Sequence, residues 1–237
     1  TMTFSLSPRN SSRLPMIAAS VNTLVVSWNE AAEMKESVDN DAFVNMRSGA
    51  SVLEADSYGD KVLLLADGTI VKLFRRKRWL SSAAWYPYAK RFADNAASLD
   101  RLGIRVPQIL DLFRIPSIER DAVRYQPLPG RTLREIRREA LDAGIEQELK
   151  EAFTRFVVRL HDSGVYFRSL HLGNVVYTPD HEFGLIDISD ARIVDRPLRK
   201  YERARNLKRL QGIEGESEWV DLTSVVDAHR KRREARV

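Results

Sequence analysis

The fold is decided by residues 159–190, which read RLHDSGVYFRSLHLGNVVYTPDHEFGLIDISD. Apolar spacing in this stretch predicts a helix that ends near His161 and is followed by a turn. Polar residues 169–174 predict a loop, which leads into a short strand at residues 175–177. A second apolar run at residues 183–186 predicts another strand. The stretch therefore predicts a β-hairpin with polar residues at one end.

Two oxygen-bearing side chains flank this predicted hairpin. Asn174 comes directly before the first strand, and Asp187 follows the second strand thirteen residues later. An amide oxygen and a carboxylate that meet across a hairpin can bind one hard cation, such as the Mg²⁺ that bridges the phosphates of ATP. Taken singly, Asn174 is equally a turn residue and Asp187 equally a cap of the next segment.

The same stretch resembles the catalytic loop and metal-binding loop of the protein-kinase-like superfamily, in the form H-x-D-L-H-x-G-N followed by I-D. In this resemblance Asn174 matches the metal-binding Asn and Asp187 matches the metal-binding Asp, at the family's own thirteen-residue separation. The chain is most similar to the bacterial kinases of lipopolysaccharide core sugars, the heptose and Kdo kinases. RIO kinases and aminoglycoside kinases are more distant relatives in this interpretation.

A segment upstream fits the resemblance as well. Asp67 and Gly68 predict a hairpin turn, and an apolar strand that contains Lys72 follows them. This strand resembles the one whose Lys holds the α and β phosphates of ATP in kinases. A lone Lys in a strand is more often a surface residue, so the position of Lys72 within the family pattern is what favours a functional role.

Two further segments follow in the family's order. Residues 81–102 have the apolar spacing of a helix, and Gly103 is expected to take a left-handed conformation at its end. Residues 123–133 resemble the hinge that joins the two lobes of a kinase and lines the adenine pocket. The resemblance therefore implies that Gln126 contributes to nucleotide binding.

The chain departs from the family pattern at two features, the catalytic base and the glycine-rich loop that binds phosphates. Five residues before Asn174, where the family has its catalytic Asp, the chain has Ser169. A Ser hydroxyl does not act as that base near neutral pH. The expected glycine-rich loop is replaced by residues 53–60, which contain a single Gly, so phosphate binding by a row of backbone N–H groups is in doubt.

A third departure concerns the partner of Lys72. The helix predicted over residues 81–102 contains no Glu that could pair with this Lys. We expect Asp94 to take that role, with Asp100, close to the helix end, as the alternative. Asp94 is accordingly assigned to the nucleotide-binding group.

Other side chains are candidates to replace the missing base. Asp190 lies three residues after Asp187, and His171 lies where related kinases place a phosphate-contacting Lys or His. Asp162 is a third candidate. A general base contributes about 10²–10⁴-fold to such a reaction, so its loss slows a kinase without necessarily abolishing it. We take Ser169, His171 and Asp190 as the candidate catalytic residues.

Length and composition set the outer bounds. The chain has 237 residues, 43% of them hydrophobic, which is enough for one domain or for two small lobes around a cleft. It has no Cys, which excludes disulfides and thiolate metal sites, and its four His are too scattered to suggest a metal cluster. The net charge of +5 favours contact with an anionic partner.

Three basic clusters have both functional and ordinary explanations. Residues 75–78 either bind phosphates of an acidic lipid-linked sugar or form a solvated loop, and neither is favoured. Residues 131–138 are interpreted as the solvated face of a helix. The basic tail at residues 229–236 could contact an anionic membrane surface, but we expect it to be disordered and solvated.

Other classes of protein fit the sequence less well. Basic clusters and four Trp would also suit a nucleic-acid binder, but no aromatic residue is interleaved with the basic tail. The apolar run at residues 14–28 is too short and too polar for a membrane span. Arg9 and Arg13 before it permit a signal peptide. An ATP site argues against one, so we expect a strand or helix packed on the sheet, or a poorly ordered leader.

The resemblance implies an α+β, two-lobed protein-kinase-like fold. In this prediction, residues 1–44 form an N-terminal extension and residues 45–126 a small lobe built on an antiparallel sheet. Residues 127–237 then form a mainly helical lobe with a basic tail. The activation segment of ordinary protein kinases, with its A-P-E motif, is missing, which disfavours protein substrates.

The implied function is ATP- and Mg²⁺-dependent transfer of phosphate to a sugar hydroxyl of a lipopolysaccharide core precursor. The acceptor would be an anionic small molecule or a lipid-linked sugar, and the enzyme would work in the cytoplasm, free or peripheral to the inner membrane. The alternative is a nucleotide-binding pseudokinase that acts as a regulator or scaffold, because Ser169 replaces the catalytic Asp. The nucleotide would be bound by Lys72, Gln126 and Asp94, and the metal by Asn174 and Asp187.

Overall fold

The computed structural model describes residues 37–75, 86–139, 141–211, 213, 215, 216 and 222–234. Several sequence predictions therefore lie outside the described residues. They are the apolar run at residues 14–28, the basic cluster beyond Arg75, the first part of the helix expected from Ser81, and the last residues of the basic tail.

Helices and antiparallel strands alternate through the described part of the chain. The helices are α1 (Asn40–Ser48), α2 (Tyr88–Arg101), α3 (Leu133–Arg137), α4 (Ala143–Asp162), α5 (Lys200–Gln211) and α6 (Leu222–Glu234). The strands are β1 (Ser51–Asp56), β2 (Gly59–Leu64), β3 (Ile70–Arg75), β4 (Gln108–Ile115), β5 (Arg120–Gln126), β6 (Arg131–Thr132), β7 (Val165–Phe167), β8 (Val175–Tyr177), β9 (Phe183–Leu185) and β10 (Ala191–Ile193). The structure thus confirms an α+β fold with a small antiparallel sheet.

The first five strands form one antiparallel sheet in the order β1-β2-β3-β5-β4. Because side chains alternate along a strand, each face of the sheet carries its own apolar cluster. On one face, Leu63 and Val71 pack with Phe43 of α1. On the other face, Leu112 and Val123 belong to the larger core, which includes α2.

Helix α2 covers that second face with a stripe of buried residues at helical spacing: Ala89, Phe92, Ala93, Ala96 and Leu99. It begins at Tyr88, and Tyr86 and Pro87 before it are not helical, so the prediction of one continuous helix over residues 81–102 is wrong. Its end agrees with the prediction, since Gly103 has φ of 68°. The chain then continues into β4 with α2 held against the sheet.

Two smaller sheets follow the first one. Strands β6, β8 and β9 form a three-stranded sheet, and β7 pairs with β10. The predicted hairpin is confirmed, with Val175 opposite Leu185 and Tyr177 opposite Phe183. Residues 127–130 connect β5 to β6 and so join the first sheet to the second. Gly184 makes room for this connection, because a Cβ there would lie 2.3 Å from Leu128 Cδ2.

Helix α4 follows the first sheet in the chain and spans 20 residues. Its buried face includes Phe153, Val157 and Leu160, while its other face is charged and exposed. Within the described ranges, no helix combines the length and the apolar composition needed to cross a membrane.

The basic tail is helical through Glu234, so the expectation of a disordered tail is wrong for the residues that the structure describes. Helix α6 is held by contacts with α4. Val225 is fully buried, and the ring of His229 stacks on that of His161 with their centroids 5.2 Å apart. His161 itself is completely buried, as expected for a core residue.

Candidate functional site

The β8–β9 hairpin brings Asn174 and Asp187 to the same end of one sheet. Val175 is paired with Leu185, and the N–H of Ile186 donates to the carbonyl oxygen of Asn174 at 3.0 Å. The two polar residues therefore flank the last hydrogen-bonded positions of the hairpin. Their proximity follows from local strand pairing, because only nine residues of strand and turn lie between Val175 and its partner Leu185.

Asn174 is buried and its amide is oriented by the loop before it. Its Nδ2 donates to the carbonyl oxygen of Ser169 at 3.0 Å. This contact engages the nitrogen of the amide and leaves its Oδ1 on the other side of the group. The oxygen of the amide is therefore the atom that remains for a cation, and oxygen is the ligand that Mg²⁺ prefers.

Asp187 has an unusual backbone conformation. Its φ of 53° and ψ of 45° place it in the left-handed region, where residues other than Gly are uncommon. Such conformations often occur at functional sites, where the surrounding structure enforces them. The side chain is 46% exposed, so its carboxylate is open to a ligand.

The carboxylate of Asp187 is paired with Lys72. The Lys72 Nζ donates to Asp187 Oδ1 at 2.5 Å, although 115 residues separate the two in sequence. Lys72 lies in the middle of β3, where its Cα is paired with Val62 on one side and Val123 on the other. The first sheet and the β8–β9 hairpin thus each contribute one charge to a single ion pair.

Tyr125 lies beside this ion pair on strand β5. Its ring stacks against Phe92 of α2, with the centroids 5.3 Å apart. Burial raises the pKa of the Tyr125 hydroxyl far above its ordinary value, and the negative charge of Asp187 raises this pKa further. The hydroxyl therefore stays protonated and forms a neutral wall of the site.

Ser169 and Asp190 form a second polar pair next to Asn174. Ser169 Oγ donates to Asp190 Oδ2 at 2.6 Å. The other oxygen, Asp190 Oδ1, is buried, and within the described part of the chain nothing donates a hydrogen bond to it. A buried acceptor without a donor costs about 1–3 kcal/mol, so either an ordered water or a ligand would supply the donor. Arg168 Nε lies 3.5 Å from Asp190 Oδ2, and its side chain is exposed.

Two structural features hold Asp190 in this place. The pairing of β7 with β10 aligns Phe167 with Ala191, so the residues just beyond them face each other. Asn95 of α2 adds a side-chain clamp, since its Nδ2 donates to the carbonyl oxygens of Ile188 at 2.7 Å and Ala191 at 3.0 Å. The sequence predictions did not include Asn95, because an Asn within a helix carries no recognisable motif.

Asp94 does not take its predicted role. Its Oδ1 accepts from Lys90 Nζ at 3.0 Å and its Oδ2 accepts from Tyr86 Oη at 2.6 Å, while Lys72 is paired with Asp187. The expected pair of Lys72 and Asp94 is therefore wrong. Successive residues of a helix point about 100° apart. Asn95 faces the site and its neighbour Asp94 faces outward.

Gln126 and His171 are the two remaining residues of the predicted site. Gln126 is exposed at the end of β5, with its Cα paired with Gln108. His171 Nδ1 lies 3.3 Å from Arg134 Nη2, so the ring accepts a hydrogen bond from a guanidinium that always donates. Arg134 also binds the buried Glu216, so the interpretation of residues 131–138 as a wholly solvated face is wrong at this position.

The turn between β1 and β2 uses one of its N–H groups within the turn itself. The N–H of Tyr58 donates to Asp56 Oδ1 at 2.8 Å, and the Tyr58 ring lies 3.7 Å from the guanidinium carbon of Arg75. This turn is thus engaged with its own strands. Phosphates near Lys72 would be bound by side-chain charge more than by a backbone cradle.

The donor set fits a divalent cation that is bound together with a nucleotide. Across the described residues, no cluster of three or more His, Cys, Asp or Glu could hold a metal by itself. Asn174 and Asp187 supply one amide oxygen and one carboxylate, and Mg²⁺ commonly takes one or two protein ligands, with phosphates and water completing the set.

Comparisons with known proteins add no family to this geometry. No model of a known protein family matches the chain, and no curated protein matches it significantly. The class of protein that the site defines is therefore argued from its residues alone.

Proposed function

We propose that this chain is an ATP- and Mg²⁺-dependent phosphotransferase with a two-lobed protein-kinase-like fold, of the kind that phosphorylates lipopolysaccharide core sugars. The observation that carries the proposal is the contact of 2.5 Å between Lys72 and Asp187, with Asn174 on the adjacent strand end. A nucleotide-phosphate Lys and the two metal-ligand candidates thus lie together, although they come from distant parts of the sequence.

The arrangement of the sheets supports the two-lobed interpretation. In this proposal strands β1 to β5 with α2 form the small lobe, and the elements after Gly130 form the larger one. Besides the connection at residues 127–130, the lobes would meet where the N–H of Leu185 donates to the carbonyl oxygen of Arg105 at 2.9 Å. The ion pair of Lys72 and Asp187 would then lie across the cleft.

Each residue of the site has a defined chemical task in the proposed reaction. Asp187 and the Oδ1 of Asn174 would hold Mg²⁺, which supplies charge neutralisation at the phosphates. The ammonium of Lys72 would bind the same phosphates. Because phosphoryl transfer depends mainly on positioning and charge neutralisation, these three groups supply most of what the reaction needs.

Asp190 is the best candidate to replace the missing base. Its Oδ1, to which none of the described residues donates a hydrogen bond, can accept the proton of an acceptor hydroxyl, while Ser169 fixes the other oxygen. The hydroxyl oxygen would form a bond to the γ-phosphorus of ATP, and the bond from that phosphorus to the bridging oxygen of ADP would break. The proton would end on Asp190, and ADP would leave.

The surroundings of Asp190 favour an anionic acceptor. Arg168 is exposed and lies next to the carboxylate, where it could bind a phosphate or carboxylate group of the acceptor. The net charge of +5 also favours binding of an anionic acceptor. An ATP-dependent reaction on a lipopolysaccharide core precursor would take place in the cytoplasm, with the enzyme free or peripheral to the inner membrane.

The test is a calorimetric titration of the whole protein with ATP, with and without Mg²⁺, on the wild type and on Asp187→Asn. We expect Mg²⁺-dependent binding in the wild type and at least a tenfold weaker apparent affinity in the variant. Asp227→Asn is the matched control, because Asp227 is an exposed carboxylate on α6 paired only with its helix neighbour Arg230 among the described contacts.

The outcomes separate the proposal from its alternative. Mg²⁺-dependent binding that Asp187→Asn weakens, together with ADP release when core sugars are supplied, supports the phosphotransferase. Binding without transfer to any acceptor would favour the pseudokinase. Absence of nucleotide binding under all conditions would overturn both.

A further inference from the structure

Glu216 is a buried carboxylate that binds the loop carrying Asn174. It is 1% exposed, and both of its oxygens accept hydrogen bonds. Oε1 accepts from Arg134 Nε at 2.7 Å, and Oε2 accepts from the backbone N–H of Leu172 at 2.9 Å. A buried carboxylate is strongly unfavourable unless it is paired and hydrogen-bonded, so these two contacts define its position.

Arg134 binds the same loop from a second direction. Its Nη2 lies 3.3 Å from His171 Nδ1. Its guanidinium also lies over Gly173, since a Cβ at that position would come within 2.6 Å of Arg134 Nη1. Arg134 and Glu216 together therefore contact His171, Leu172 and Gly173, the three residues immediately before Asn174.

The contact with Leu172 stabilises the turn that delivers Asn174. Residues Leu172–Asn174 form a short 3-10 helix, in which the N–H of Asn174 donates to the carbonyl oxygen of His171 at 2.9 Å. The first N–H groups of a helix have no partner within the helix. Glu216 supplies that partner for Leu172, and a charged acceptor makes this hydrogen bond stronger than a neutral one would.

We propose that Glu216, acting through Arg134 and the N–H of Leu172, is a positioning residue for the metal site of the proposed phosphotransferase. The inference rests on the proposed function. By fixing residues 171–173, Glu216 and Arg134 hold the loop that brings Asn174 to the same end of the hairpin as Asp187. Groups that orient a metal ligand typically change metal affinity by 10–100-fold when removed.

Glu202 provides a matched control for this role. It is also a buried carboxylate that binds guanidinium and backbone N–H groups: its partners are Arg192, Arg196 and the N–H of Arg199. Its partners belong to β10 and to the segment before α5. Replacing Glu202 by Gln removes a comparable charge cluster without touching the loop at residues 171–174.

The first experiment measures the apparent Kd of Mg²⁺ in the presence of ATP for the wild type, Glu216→Gln and Glu202→Gln. We expect Glu216→Gln to raise this Kd by at least tenfold while Mg²⁺-free ATP binding stays the same. Both variants lose thermal stability, but Glu202→Gln leaves the Kd of Mg²⁺ unchanged. Equal Mg²⁺ affinity in the wild type and Glu216→Gln would overturn the proposal.

The second experiment needs no nucleotide. Hydrogen exchange is followed at the amide of Leu172 in the wild type and in Glu216→Ala, with amides of α4 in the same samples as the internal reference. We expect exchange at Leu172 to become at least tenfold faster relative to α4. If the wild type binds no Mg²⁺ and ATP, the proposed function fails by itself. Exchange at Leu172 then still tests whether Glu216 fixes residues 171–173. Unchanged protection of Leu172 in Glu216→Ala would refute that role of Glu216.

Discussion

Lowering the pH should destabilise this protein through His161. The ring is completely buried, with Nδ1 3.0 Å from His229 Nε2 and Nε2 3.1 Å from Asn206 Oδ1. Burial is the main cause that lowers the pKa of His161 to about 4. The hydrogen bond to Asn206 and the charge of Asp162 oppose this shift, while electrostatic interactions with His229 and Arg203 add to it. The folded protein therefore holds this ring in its neutral form.

The size of the destabilisation follows from the difference between the pKa of His161 in the folded chain and in the unfolded chain. In the unfolded chain the ring titrates near pH 6.5. Because the folded pKa is depressed, the stabilisation from the neutral ring is present above pH 6.5 and is lost as the pH falls toward 4. A pKa difference from 6.5 to about 4 corresponds to about 3 kcal/mol of unfolding free energy. Between pH 6.5 and pH 4, the free energy of unfolding falls by up to about 1.4 kcal/mol per pH unit.

Urea denaturation between pH 7 and pH 4 measures this loss, with His161→Gln as the reference. Gln offers one acceptor and one donor, as the neutral ring does, but it does not ionise. Carboxylates titrate alike in both proteins, so their effect cancels in the difference. We expect the wild type to lose about 3 kcal/mol more than the variant over this range. If the free energy of unfolding falls equally with pH in the wild type and in His161→Gln, the idea that a buried neutral His161 dominates this part of the pH dependence is refuted.

The remaining predictions concern the proposed base and a glycine turn. Asp190→Asn should lower turnover by about 10²–10⁴-fold while leaving Mg²⁺-dependent ATP binding within twofold, and turnover at the wild-type level would exclude Asp190 as the base. Gly164→Ala should cost on the order of 3 kcal/mol or more, because Gly164 has φ of 78° and a Cβ would lie 2.0 Å from the carbonyl oxygen of Val194. Gly68→Ala is its control, since Gly68 has φ of 81° but open space around it, and we expect a cost of only about 1 kcal/mol in urea denaturation.

Local sequence patterns were sufficient to predict the hairpin and the ends of several elements. Strands β8 and β9 lie within the apolar runs that predicted them, because each strand is bounded by turn residues within a few positions. Gly103 has the predicted left-handed conformation for the same local reason. The start of α2 was missed because the apolar spacing in the sequence continues across Pro87, which lies directly before the first helical residue in the folded chain.

Contacts between distant segments could not be predicted in the same way. Asp94 and Asn95 differ by one helical position, and the sequence does not reveal which of the two faces Lys72 and the loop after Asp187. The pair of Arg134 and Glu216 joins residues 82 positions apart, so no local pattern points to it. The helical tail was missed because its basic composition suggested a solvated segment, whereas Val225 and His229 are the residues that pack it against α4.

The ion pair between Lys72 and Asp187 also has a consequence for how the protein is made. Since 115 residues separate the partners, a ribosome that adds about 5–20 residues per second leaves Lys72 without its carboxylate for roughly 6–23 s. If the first sheet forms during this interval, Lys72 has only water and counter-ions beside its ammonium group until Asp187 arrives. A small acidic molecule in the cell that reached Lys72 earlier would compete with the protein's own carboxylate during synthesis.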